Sequence, residues 1–396
     1  MLGGRIRQAR LLAGLTQEKF AALLAENGYS VTKQAISKYE NEGSTPPAQF
    51  LLLSAELLSI PNSYFVYQSK SKVDWLAFRR HSAFPIHDQE MVKTYASDIA
   101  ELQIELQNLL HPSIAVDLPP AIRVNSYEDA ENAALQLRDQ WGLDQHPIEN
   151  LVQMVEAHQV IVVGWSKGEG KFDGLSGWCD QYPVTVINTQ VQPDRRRFTL
   201  SHELGHLVMD TRHLDEDVAE KFANRFAANL LVPTERAIHE LGKRRTRLDW
   251  DELGILKRKY GLSMAGWVKR AVDLEIITPN HATQLHIQLR QNHWHTREPV
   301  EYIADESPVL LDQMAHHATA EGLIGADRIQ SVYPAWKEGE MPTPDSHHTT
   351  VYDLLAMSEV DRQQFMDRAF ALAAQDTFET FDAFDDMDFN DAAFSA

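Results

Sequence analysis

Three side chains with the right types and spacing for metal-assisted hydrolysis lie within five residues, His202-Glu203-Leu204-Gly205-His206. The flanking pattern is helical, because Leu200, Leu204, Leu207 and Val208 fall on one apolar side. Residues four apart stand one turn above each other on a helix, so the imidazoles of His202 and His206 come side by side and can hold one divalent ion. Glu203 projects beside them, where a carboxylate can take a proton from an attacking water. Two imidazoles with a carboxylate favour zinc, with Mn2+ as the second choice.

A catalytic zinc site uses three protein ligands and keeps one position open. A third His at the usual downstream spacing is missing, since Met209 and Arg212 occupy the two positions that would carry Gly and His. His213 is one step out of register, in an Asp-rich loop. The better donor is Glu220, at the head of Glu220-Lys-Phe-Ala-Asn-Arg-Phe-Ala-Ala-Asn-Leu-Leu-Val-Pro233. In this second helix Phe222, Phe226 and Leu230 make a bulky stripe, while Ala223, Asn224 and Ala227 leave a slim side that lets the first helix approach. Glu216, one turn earlier, is the alternative third donor.

The pentapeptide, the acidic loop after it and the E-x-x-x-N-x-F-A-A core from Glu220 together resemble the ImmA/IrrE metallopeptidases over about Tyr127 to Leu274. The resemblance implies an α+β zincin-like domain. It implies also that His202, His206 and Glu220 bind the metal while Glu203 is the catalytic base. Substrates characterised in that family are helix-turn-helix repressors, cut in response to stress or mobile elements.

The elements around this site divide a chain of 396 residues, long enough for two or three domains. The division expected is 1–68 as a helix-turn-helix DNA-binding domain, 69–120 as a helical connector and 121–275 as the peptidase domain. A helical extension over 276–345 and an acidic–aromatic tail over 346–396 complete it. The fold class is therefore multidomain, an all-α head plus an α+β zincin-like domain and a helical C-terminal extension. A net charge of −20 argues against a chain that coats nucleic acid throughout. One cysteine, Cys179, excludes an intramolecular disulfide and fits a reducing cytoplasm. No run of 18 apolar residues and no signal core after Arg5, Arg7 and Arg10 point the same way, to a cytoplasmic protein without a membrane partner.

The head reads as helices throughout. Thr16 caps a helix from Gln17 to Leu24, and Thr32 caps one from Lys33 to Glu40 closed by Asn41. Leu-Thr-Gln-Glu followed by Lys-Gln-Ala-Ile-Ser-Lys-Tyr-Glu is similar to the XRE (lambda-repressor-like) helix-turn-helix, in a variant whose central turn is about five residues longer than the commonest form. Ala35, Ile36 and Tyr39 can pack inward while Lys33, Gln34, Ser37 and Lys38 face out to read base edges, with Gln17 set to touch phosphate. Through Arg80 the charge is +4 and the remainder carries −24, a basic head on an acidic body.

Farther along, Trp75 to Arg80 and a periodic helix from about Asp88 to Leu110 describe a packed connector. Helices over Tyr127 to Trp141 and Ile148 to Ala157 precede a β-branched strand, Val160 to Val163, and two more strands, Leu175 to Asp180 and Pro183 to Asn188. The resemblance to zincins, in which an edge strand along the cleft pairs with an extended substrate, implies that one of the last two serves as that strand. Gly168 to Gly174 reads as a loop too irregular to cradle phosphate, and Asp194-Arg-Arg-Arg197 as a solvated charge run, with orienting the metal helix or steadying an oxyanion as the alternatives. Two helices around Tyr260-Gly-Leu-Ser263 read as packing, with a second DNA reader as the other possibility; Ser307 to Ile324 is one more helix. His286, His293, His295, His316, His317, His347 and His348 lack ligand spacing. After Arg368 the chain has acidic and Phe residues and nothing basic, a composition unable to build its own core.

The expected function is a DNA-binding regulator with a zinc-dependent endopeptidase domain. Its partners would be double-stranded operator DNA, as a homodimer, and a protein substrate such as a repressor or antitoxin-like partner encoded nearby, or the chain itself. The setting would be a stress, phage-defence or mobile-element switch. The alternative is a non-proteolytic XRE-type repressor or antitoxin whose metallopeptidase fold senses or binds a partner.

Overall fold

The computed structural model describes residues 2–66, 72–78, 86–166, 172–334 and 336, with backbone alone at 77–78 and 86–87. The loop expected over Gly168 to Gly174 and the acidic–aromatic tail therefore fall largely or wholly outside the described residues. Among those described, no helix is long and apolar enough to cross a membrane.

The head consists of α1 (Leu2–Leu12), α2 (Gln17–Glu26), α3 (Lys33–Glu40), α4 (Ala48–Leu57) and the short α5 (Ser63–Val66). Thr16 Oγ1 accepts from the Lys19 N–H and Thr32 Oγ1 from the Ala35 N–H, each at 3.2 Å, so both helix starts are set by the expected caps. Ile6, Phe20, Leu24, Ile36 and Phe50 are fully buried and form its core. The long turn between α2 and α3 is anchored by Tyr29, whose ring lies 6.0 Å from that of Phe50. Two of the head's positive charges are internal. Arg10 is held by Glu40 of α3 through bonds of 2.6 and 2.9 Å, and Arg5 by Asp98. The basic surface of the head is accordingly smaller than its sequence count.

Next come β1 (Val73–Phe78) and α6 (Ile86–Leu110). The first of these corrects the sequence reading: the stretch expected to be a helical connector begins with a strand, and that strand pairs into the four-stranded sheet of the following domain. The chain continues through β2 (Ile122–Arg123), α7 (Tyr127–Gln140), α8 (Leu151–Ala157), β3 (Ile161–Trp165), β4 (Gly174–Cys179), β5 (Tyr182–Asn188) and α9 (Pro193–Val208). After it follow β6 (Met209–Asp210), α10 (Glu216–Leu231), α11 (Thr234–Leu241), α12 (Trp250–Tyr260), α13 (Met264–Asp273), α14 (Pro279–Gln291), α15 (Leu310–Ala320) and α16 (Ala326–Gln330).

A four-stranded sheet in the order β1-β4-β5-β3 separates two cores. Strand β3 runs parallel to β5, while β4 is antiparallel to both β5 and β1. Alternate residues of β3 and β5 face opposite ways, as the period of two requires. Val162 and Ile187 join Leu200 and Leu204 of α9 on one face; Ile161, Val163, Val184 and Val186 join Val92, Ala96 and Ile99 of α6 on the other. Helix α6 thus covers the outer face of the sheet instead of merely linking two domains. Neither β4 nor β5 is an edge, which corrects the expectation that one of them is; both have strand partners on each side. Helix α13 buries Trp267, Val268 and Ala271, so it packs within the domain.

Candidate metal centre

Helix α9 carries the pentapeptide because its apolar residues recur at helical spacing and Pro193 opens it at the first turn. Burial of Leu200, Leu204, Leu207 and Val208 against the sheet and α10 holds it, at about 1.5–3 kcal/mol for each side chain. Gly205 lies where the helices approach most closely. A Cβ there would stand 3.1 Å from Phe226 Cδ1 and 3.4 Å from Ala223 Cα, so even a methyl group would require Phe226 to give way by a few tenths of an ångström. The slim side of α10 does face α9, with Ala223 and Ala227 completely buried.

That close approach brings three donors together. His202 Nε2 and His206 Nε2 are 3.0 Å apart, Glu220 Oε2 is 3.3 Å from the first and Glu220 Oε1 3.2 Å from the second. A four-coordinate ion with ligands at about 2.0–2.1 Å sets neighbouring donors about 3.3 Å apart, so the spacing and the donor set fit zinc. Among the described residues this is the one group of three or more His, Cys, Asp and Glu side chains close enough to share an ion. The imidazoles are buried, whereas Glu220 is 23 % exposed, so the group opens to solvent on the carboxylate side. Burial resists ionisation of Glu220, but hydrogen bonds and charge from His202 and His206 outweigh it and hold the carboxyl far below the usual range. Glu216, the alternative donor, is exposed and outside the group, and His213 bonds to Asn125 Oδ1 at 3.1 Å.

A surrounding layer orients these groups. His202 Nδ1 donates to Asn224 Oδ1 at 3.0 Å, which leaves the Nε2 lone pair for an ion. Asn224 lies one turn after Glu220 on the same helical face, so the E-x-x-x-N spacing carried that signal. Loss of such a partner typically costs 10- to 100-fold in metal affinity. Zinc affinity of Asn224→Ala, measured by competition with a chromophoric chelator, is expected to fall by about that factor while the fold persists.

Glu203 is buried, and its Oε2 accepts from Ser176 Oγ of β4 at 2.6 Å. Strand β4 crosses so close that a Cβ at Gly174 would lie 2.8 Å from Glu203 Oε1 and 2.6 Å from Thr199 Cγ2. Glycine is the residue that fits. Ser176 and Gly174 were not found from sequence, because their role depends on which strand lies over α9.

For the charge run before the helix, the structure favours the orienting role over the solvated one. Arg197 is buried with Glu306, and Asp194 receives Lys257 Nζ at 2.9 Å, so these residues anchor the start of α9 instead of standing in solvent.

On the head, Lys33, Gln34 and Lys38 of α3 are exposed and Ser37 is half-buried. Lys33 pairs with Glu18 of α2. Gln17 donates through Nε2 to Glu40 Oε2 at 2.7 Å, which ties the start of α2 to α3.

Comparison with known proteins agrees with both halves. Residues 155–271 match the model of the IrrE N-terminal-like domain, a peptidase family, and residues 6–64 that of the helix-turn-helix family. The Radiation response metalloprotease IrrE of Deinococcus radiodurans is 30% identical over 165 residues, covering 34% of this chain and 48% of that protein. The protein of the same name from Deinococcus deserti is 29% identical over 107 residues, covering 24% of this chain and 36% of the relative. The chain thus spans half or less of the curated relatives it matches. Residues 155–271 are thus similar to the IrrE-type peptidase domain, and residues 6–64 to an XRE-type helix-turn-helix.

Proposed function

We propose that the chain is a DNA-bound zinc endopeptidase that cuts a protein partner, a repressor, an antitoxin-like protein or a second copy of itself, in a stress, phage-defence or mobile-element switch. The observation that carries this reading is the convergence of His202, His206 and Glu220 beside a buried, oriented Glu203. A divalent ion held by the three donors would supply Lewis acidity, polarising a scissile carbonyl and acidifying a water. Glu203 takes the proton of the attacking water and returns it to the leaving amine. Ser176 fixes the carboxylate by donating to Oε2, and Asn224 holds the His202 ring.

The head places this chemistry at operator sites, binding double-stranded DNA as a homodimer with α3 in the major groove. Fusing reader and peptidase in one chain raises the local concentration of the peptidase near operator-bound targets. The direct test incubates the zinc-loaded full-length chain with XRE-type repressors encoded nearby and with itself. Fragments should form with zinc and cease with a chelator; their absence from every mixture would leave the partner-binding alternative.

Operator reading is tested separately. A side chain that hydrogen-bonds a base edge contributes about 1–3 kcal/mol, so Gln34→Ala should weaken specific binding about 5- to 150-fold in mobility-shift titrations at fixed salt. Lys38→Ala should lower affinity too, and neither change should alter zinc uptake.

A further inference from the structure

The strand that touches the proposed base is fully engaged along its backbone. Strand β4 meets Glu203 through Ser176 and Gly174, pairs with β5 on one side, and on the other is covered by β1. The β1 pairing is antiparallel: Val73 faces Cys179, Asp74 faces Trp178, Trp75 faces Gly177, Ala77 faces Ser176 and Phe78 faces Leu175. Extended peptides commonly bind by adding a strand to a sheet edge through main-chain hydrogen bonds. An extended segment seeking Glu203 along β4 would therefore meet β1 already in place.

Strand β1 comes from outside the matched peptidase region, which begins at 155, and follows the last helix of the head after the six residues 67–72. Its hold is limited. It is six residues long, pairs with one neighbour and is broken by a bulge at Leu76, which is 46 % exposed. Among its described side chains, Val73 is buried and Trp75 packs over Gly177. The head to which it leads is fastened nearby. Arg5 Nη2 and Gln8 Nε2 of α1 donate to Asp98 of α6 at 3.0 and 3.2 Å, and Leu12 packs on the outer-face core of the same sheet.

We propose that the β4 edge is the seat for an extended protein segment, and that β1 is an internal occupant of that seat which must leave before the segment can bind. The word substrate for that segment rests on the peptidase reading; the exchange of strands does not. Because β1 is tethered, its effective concentration is in the millimolar range, so free peptides at micromolar levels are excluded until the strand is released. Linkage of β1 to the head gives a repositioning of that head on DNA a direct route to the seat.

The test uses the full-length, metal-free chain and a fluorescein-labelled peptide of residues 72–78, with binding read by anisotropy. Directly paired residues of antiparallel strands have Cα atoms about 4.5–5.5 Å apart, within disulfide range. Oxidised Val73→Cys therefore ties β1 to the chain's one cysteine, Cys179, while Val73→Asp puts a charge into the apolar anchor and unseats the strand. Peptide affinity should be at least about ten-fold higher for Val73→Asp than for the oxidised Val73→Cys chain, and reduction of the latter should return it to the wild-type value. Equal affinity in the tied and unseated chains would overturn the proposal, as would no binding by a Val73→Asp chain that still takes up zinc chloride like wild type. If Val73→Asp loses zinc uptake, Trp75→Ala replaces it under the same two outcomes. No hydrolysis enters the measurement, so failure of the strand exchange and failure of the peptidase reading are told apart.

Discussion

Glu203→Gln is expected to lower kcat for any cleaved partner by about 10²- to 10⁴-fold, the range that a positioned general base supplies. The amide keeps the shape of the carboxylate and its oxygen can still accept from Ser176 Oγ, so the fold and the three donors should persist. Zinc stoichiometry and operator affinity should match wild type, and KM should change little because the lost interaction belongs to the transition state. Turnover by Glu203→Gln at the wild-type rate, with zinc bound, would rule out the base assigned here. A repressor phenotype unaffected by the change would favour the partner-binding alternative for the cell.

The groups concerned were legible to different degrees, for reasons of distance along the chain. His202, Glu203 and His206 are fixed by one helical turn, a local rule that needs no knowledge of the fold. Glu220 required a second inference, that small residues on its helix admit a close neighbour, and Gly205 against Ala223 is the contact that makes it work. Ser176 is 27 residues from Glu203 and has no sequence mark, since its hydroxyl matters through the passage of β4 over α9.

Strand β1 was hidden for a related reason. Val-Asp-Trp-Leu-Ala-Phe mixes apolar residues without clean alternation because of the bulge, and its partner lies about a hundred residues away. Long-range pairing overrides local preference in such a segment. The periodic helix α6 was visible, but its role as cover for the sheet depended on strands not yet formed. Buried charges mislead most readily. Arg5, Arg10 and Arg197 look like surface cations in the sequence, yet each is buried beside a carboxylate 30 to 109 residues away.

The pair Arg197 and Glu306 gives the largest stability effect expected. Both side chains are 1 % exposed. Glu306 Oε1 meets the Arg197 guanidinium and accepts the Leu151 N–H at 2.7 Å, satisfying a donor at the start of α8. Arg197 also donates to the Ile148 carbonyl, and its guanidinium lies 5.6 Å from the Tyr302 ring centre. Removing one member of a buried pair leaves the other charge without its counterpart, at a cost of about 3–5 kcal/mol. Glu306→Ala should therefore lower the unfolding free energy by about that amount in urea titrations. Arg197→Met with Glu306→Leu should recover most of it, because apolar replacement of a whole buried pair is often neutral. Arg197 stands five residues before His202 on the same helix, so Glu306→Ala should weaken zinc binding as well, through displacement of α9 and not through any ligand. A Glu306→Ala chain as stable as wild type would show that Glu306 does not brace the metal helix. Recovery of stability without recovery of zinc affinity in the double variant would instead assign the pair a positioning role beyond its contribution to the fold.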